Sequence, residues 1–244
     1  MSVEVARAGV ADGNPSDGMT ATLDASAAVD ALGAAFARAG DAERAAAMAA
    51  YMKGIAPFFG VPAPERRRIQ RAVLDRWKPD EHALVEFARA AWNRPSRELH
   101  YAACDLLQRN AAGLSADVFA DLEWLITHKS WWDTVDSLAP VVGVLVGAVP
   151  SLDREMDRWI DADDFWLARV AIIHQLRRKL DTDADRLFRY CLRRAADQEF
   201  FVRKAIGWAL REYAKSAPDA VRAFVDAHES ELSPLSKREA RKHL

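Results

Sequence analysis

The sequence predicts an all-α fold, a solenoid of stacked helical pairs. Three observations lead there. From about Ala27 onward apolar residues recur at spacings of three and four, and Ala, Leu, Arg, Glu and Val dominate. No alternating β-branched segment of strand length occurs, and helix-starting signals recur at short intervals, so consecutive helices run antiparallel. The aromatic doublets Trp131-Trp132, Phe165-Trp166 and Phe200-Phe201 set Trp131, Trp166 and Phe201 at spacings of 35. A period of that size with two helices marks a repeat protein. One pair cannot bury its apolar face alone, so pairs stack and leave a concave face that can cradle an elongated partner. An irregular helical bundle is the competing reading.

Residues 1–22 contain Ala11-Asp12-Gly13-Asn14-Pro15-Ser16-Asp17-Gly18, turn formers and acids without an apolar period, and read as a disordered tail. Residues 23–244 read as one domain. Asp41-Ala42-Glu43-Arg44 forms a cap leading into Ala45 to Lys53. Pro64-Glu65 starts a helix with proline where its missing N–H costs nothing. Further starts fall at Pro95-Ser96-Arg97-Glu98, Ser115, Asp163-Asp164 and Pro218-Asp219, and Pro234-Leu235-Ser236 opens a short last helix. Behind the doublets the apolar spacing continues at Val135 and Leu138, Val170 and Ile173, and Ala205 and Trp208. Aligned on the doublets, Arg169 and Lys204 are equivalent at a spacing of 35, whereas Asp136 and Arg169, 33 apart, are out of register.

Composition narrows the function. Half of the residues are hydrophobic and 29% are charged, which excludes a mostly disordered chain. Two cysteines, Cys104 and Cys191, make no disulfide framework and fit a reducing, cytoplasmic setting. The longest apolar run, Leu138 to Val149, is too short to span a bilayer, and no membrane partner is expected. A net charge of −2 at first argues against nucleic acid. The charges are segregated, however: residues 1–64 sum to −3, the remaining 180 to +1, and residues 166–179 hold four bases without an acid. That pattern fits recognition by a few placed cations and salt-dependent binding.

Scattered single histidines give no metal spacing, and neither a GxGxxG nor a Walker sequence occurs, so no metal or cofactor is expected. Three segments stand out instead. In Lys129-Ser130-Trp131-Trp132-Asp133-Thr134-Val135-Asp136, a helix would place Trp131, Val135 and Leu138 on a core stripe, with Trp132 and Asp136 together beside it. An indole exposed next to an acid points to a site; a packing tryptophan beside a solvated acid is the bland alternative. In the second segment, Trp166 to Lys179, Arg169 falls in an apolar stretch and needs a carboxylate or a phosphate as partner. In the third, Lys204, Trp208, Arg211 and Lys215 share one helical stripe, aromatic among bases, as a groove following phosphates requires. Gly207 there could admit another backbone. Arg66-Arg67-Arg68 with Arg71, and Lys237-Arg238 with Arg241-Lys242, add to a phosphate-contacting face, although each alone is an ordinary solvated surface.

Taken in order, Tyr51-Met52-Lys53, Pro64-Glu65-Arg66-Arg67, the Lys129–Asp136 segment, Trp166-Leu167-Ala168-Arg169, Lys204 to Lys215 and Pro234 to Ala240 resemble the bacterial DNA alkylation repair family, the AlkD-like DNA glycosylases. The resemblance runs from about residue 27 to the C-terminus. It implies a HEAT-like solenoid cradling double-stranded DNA, and hydrolysis of the N-glycosidic bond of positively charged alkylpurines such as 3-methyladenine and 7-methylguanine. It also implies that the base stays stacked. By motif, Asp136 is the catalytic carboxylate and Trp132 and Trp208 its aromatic partners. Arg169 holds the DNA backbone near the lesion, and Arg211 and Tyr51 contact DNA, with Lys204 and Lys215 on the same stripe. A monomer acting at the nucleoid is expected. A non-catalytic member binding bent or branched DNA, or a repeat protein binding another protein, are the alternatives.

Overall fold

The computed structural model describes residues 24–244; the expected tail over residues 1–22 lies outside the described residues. Among the described residues the chain forms thirteen α-helices and no strand. The first three are α1 (Ala25–Ala39), α2 (Ala42–Tyr51) and α3 (Ala63–Val73). Asp24 and Asp41 cap the first two, accepting from the Ala27 and Arg44 amides at 2.7 and 2.8 Å. Five antiparallel pairs follow: α4 (Glu81–Asn93) with α5 (Arg97–Asn110), α6 (Phe119–Thr127) with α7 (Trp132–Ala148), α8 (Asp153–Ile160) with α9 (Phe165–Ile173), α10 (Ala184–Arg193) with α11 (Phe200–Ala214), and α12 (Pro218–Ala227) with α13 (Pro234–Ala240).

The second helices begin 35, 33, 35 and 34 residues apart, at Arg97, Trp132, Phe165, Phe200 and Pro234. They form a row in which α5 packs on α7, α7 on α9, α9 on α11 and α11 on α13. The repeat solenoid is therefore present, with a register that differs from the one the doublets suggest. Asp164 and Glu199 cap α9 and α11 through the Trp166 and Phe201 amides, so those helices start on the first aromatic of each doublet. No side chain caps the start of α7, Trp131 is extended at φ −157°, and the helix begins one residue later, on Trp132. Asp136 and Arg169 consequently hold the same position, the fifth, in adjacent helices. Trp131 is not part of the α7 stripe. It still meets its counterparts, with ring centroids 6.1 Å from Trp166 and 5.2 Å from Phe201.

Burial follows the stacking. Leu32, Phe87, Leu122, Leu138, Trp159 and Ile206 belong to one core that runs through all repeats. Trp92 within it donates its indole N–H to the Leu125 and His128 carbonyls at 3.1 and 2.9 Å, satisfying the end of α6. The row of first helices is joined mainly by charge: Arg89 to Asp121, Arg158 to Glu123, Arg186 to Asp153, Arg189 to Asp157 and Arg193 to Asp161. Exposed pairs of this kind are worth about 0–1 kcal/mol each. Their effect on the charge balance is larger: much of the near-equal count of acids and bases is engaged between repeats and says nothing about a partner. No helix among the described residues is long and apolar enough to cross a membrane.

Gly207 does admit a neighbour. A Cβ there would lie 2.5 Å from the Glu239 Cβ and 2.8 Å from the Ser236 carbonyl, so α13 rests directly on α11.

Candidate active site

Side chains from the first two turns of α7 and α9 and from the first three turns of α11 meet at one place in the row of second helices. Trp132 and Asp136, one turn apart on α7, are both half-buried. Arg169 of α9 reaches Asp136 with two parallel hydrogen bonds: Nε donates to Oδ1 and Nη2 to Oδ2, both at 2.8 Å. Its Nη1 donates to the Phe201 carbonyl at 2.5 Å, so every guanidinium nitrogen is engaged in a residue only 3% exposed. The guanidinium lies 6.0 Å from the Phe201 ring and 5.9 Å from the Trp208 ring of α11. Those faces favour its charge. On the far side, exposed Tyr51 at the end of α2 stands edge-on to Trp132 at 6.4 Å.

Electrostatically, Asp136 is poised between opposing effects. Burial raises its carboxyl above the ordinary 3.8, the Arg169 hydrogen bonds and charge pull it back, and neighbouring Asp133 pushes it up again. Pro140, four residues on and inside α7, has no N–H for the Asp136 carbonyl, so the turn carrying Asp136 lacks one helical bond.

The structure thus gathers Tyr51, Trp132, Asp136, Arg169 and Trp208. Four of the expected DNA contacts, Arg169, Lys204, Arg211 and Lys215, pair with carboxylates within the protein. The resemblance implies that Arg169 holds the DNA backbone; its buried guanidinium is paired with Asp136, a carboxylate being one of the two partners that its apolar setting called for. Lys204 and Arg211 both bind the carboxylate of Glu239, at 2.9 and 2.7 Å, and Lys242 adds a third cation at 2.8 Å. Lys242 and Lys204 hold the Glu239 carboxyl down to about 2, and Glu239, on α13, is buried against α11. Lys215 is exposed and pairs with Glu212.

A second buried network, absent from the sequence reading, sits directly behind Trp132. Arg97 of α5, fully buried, donates Nε and Nη2 to the two oxygens of Asp133 at 2.9 and 2.5 Å. It also donates to Thr134 Oγ1 and to the Lys129 carbonyl, and the Tyr101 hydroxyl donates to Asp133 at 2.6 Å. The start of α7 is therefore gripped by an arginine from each neighbouring repeat. The only sequence signal was Arg97 standing 36 residues before Asp133, about one repeat.

Comparison with known proteins agrees with this architecture. The sequence profile of the DNA alkylation repair enzyme family matches residues 32–244. A solved structure described as a predicted DNA alkylation repair enzyme from Enterococcus faecalis is 35% identical, with a TM-score of 0.77. That match covers 84% of this chain and 96% of that one. A comparison with curated proteins gives no match. With the profile spanning nearly the whole chain and a structural relative of the same kind, the protein belongs to the DNA alkylation repair enzyme family.

Proposed function

We propose that the protein is a DNA glycosylase that hydrolyses the N-glycosidic bond of positively charged alkylpurines in duplex DNA. The observation that supports this most is a half-buried carboxylate, Asp136, fixed through both oxygens by Arg169, with Trp132 one helical turn away and the Trp208 ring 5.9 Å from the Arg169 guanidinium. A cationic purine is already a good leaving group and needs no proton donated to it. The transition state then concentrates positive charge on the deoxyribose. Asp136, ionised, faces that charge and orients the attacking water; held by Arg169, it need not reorganise as the charge develops. Trp132 and Trp208 add about 0.5–2 kcal/mol each through their ring faces. Together these terms amount to a few powers of ten in rate, enough for a labile bond. The carboxylate works from the sugar, so the base can remain stacked in the duplex.

The test is release of free base from methylated duplex DNA, followed by chromatography. The expected result is release of 7-methylguanine and 3-methyladenine well above the protein-free rate, declining in acid as Asp136 protonates. Because burial raises that carboxyl, the decline centres above 3.8. Release no faster than the protein-free control contradicts the proposal.

A further inference from the structure

A second concentration of charge lies on the same row of helices, away from Asp136. The C-terminal halves of α3 and α5, with Arg177 just beyond α9, enclose a cavity of about 410 Å³. Its walls carry Arg67, Arg71, Arg109 and Arg177 against a single carboxylate, Asp105. That carboxylate is already taken up by buried Arg66 at 3.0 Å and by Arg67 at 3.4 Å. Arg109 reaches only the Asp105 carbonyl, at 3.2 Å. Among the described residues, Arg71 and Arg177 make no ion pair at all. Arg66, 4% exposed and 5.4 Å from the Tyr101 ring, has its Nε and Nη1 without a hydrogen-bond partner.

Exposed arginines from three parts of the chain converge here with only Asp105 opposite them, and the fold enforces the convergence. A Cβ on Gly143 of α7 would lie 2.1 Å from the His174 carbonyl, so the end of α9 rests on α7. Arg178 is drawn down in the same way, its Nη2 donating to the Gly143 carbonyl at 3.0 Å over the bare face of Gly147. Its neighbour Arg177 is left exposed on the cavity wall shared with α3 and α5. The cavity is also tied to the site. Gln108 on its wall donates to the carbonyl of Ser137, the residue after Asp136, at 2.5 Å.

The groups present read charge and not base identity. Guanidinium forks match the paired non-bridging oxygens of a phosphodiester. The Gln70 and Gln108 amides are committed to the Ala102 and Ser137 carbonyls. We infer that this cavity is a phosphodiester subsite that clamps the DNA backbone flanking the position addressed by Asp136. The inference rests on the reading of the protein as one that acts on DNA.

The experiment uses the Arg71→Gln/Arg177→Gln double variant, whose exposed side chains make no ion pair that the fold needs. Binding of an undamaged duplex is measured by fluorescence anisotropy over a range of salt, and base release at saturating protein is measured alongside. The subsite predicts Kd raised about 10-fold at ~0.1 M salt and a salt slope smaller by about 1–2, one phosphate contact contributing ~0.9. Unchanged Kd and slope in a folded variant overturn the assignment. So does calorimetric binding of inorganic phosphate that depends on both arginines while DNA affinity does not. If the parent protein releases no base but the variant still loses affinity and slope, the subsite stands and the glycosylase reading falls. If the parent releases base and the variant binds as tightly, the reverse holds.

Discussion

Arg169→Gln is expected to lower stability by about 3 kcal/mol at neutral pH and to move the acid limb of activity to higher pH. Removing one partner of a largely buried ion pair leaves an uncompensated charge, which typically costs ~3–5 kcal/mol. The low end applies because the Asp136 side chain keeps 18% of its exposure. The direction of the pH effect follows from the balance at that carboxyl. Burial raises it and Arg169 lowers it, so without Arg169 burial acts nearly unopposed. The carboxyl then protonates at a higher pH, and the ionised form that the proposed mechanism uses is lost sooner on acidification. Stability moves the opposite way: the protonated carboxyl is the better tolerated form, so the deficit relative to the parent shrinks as pH falls. Urea unfolding at two pH values and a pH–rate profile measure both effects. An acid limb that stays in place would show that Arg169 does not set the charge state of Asp136.

Arg97→Met is expected to cost at least as much, about 3–5 kcal/mol, through the network behind Trp132. Arg97 is fully buried and satisfies Asp133, Thr134 and the Lys129 carbonyl at once. Its loss leaves Asp133 with the Tyr101 hydroxyl as side-chain donor. For a domain of this size the melting temperature should fall by about 10 °C. The Arg97→Met/Asp133→Leu double variant should recover a substantial part of that loss, because the stranded charge goes too. Equal melting temperatures for the parent and the single variant would contradict the role given to this pair.

How much of this was legible in the sequence depends on how local the cause is. Helix starts were legible because caps and prolines act over three or four residues: Asp41, Ser96, Asp164, Pro218 and Pro234 each open a helix or stand within a residue or two of its start. The pairing of Trp132 with Asp136 was legible for the same reason, being one turn of helix. So was the need of Arg169 for a partner, since its apolar neighbours are adjacent in sequence. Which partner it takes was not legible. That depends on α7 starting on Trp132 while α9 starts on Phe165, a difference set by a cap present at Asp164 and missing before Trp132. That Lys204 and Arg211 share one carboxylate was not legible either, because Glu239, which binds both, lies 35 and 28 residues further on. Segregation of the charges was legible by counting, but not the ion pairs between repeats that engage many of them.

The proposed function assigns the chemistry to Asp136 and not to the basic surface. Single-turnover base release from methylated duplex DNA by Asp136→Asn tests it most directly, with circular dichroism to verify folding and anisotropy to verify binding. Asparagine keeps the shape and one acceptor for Arg169 but lacks the negative charge. The expected result is release slowed about 100-fold or more, in line with loss of one preorganised electrostatic group, with DNA affinity within a few-fold of the parent. A folded Asp136→Asn protein that binds DNA and releases base at the parent rate would contradict the account.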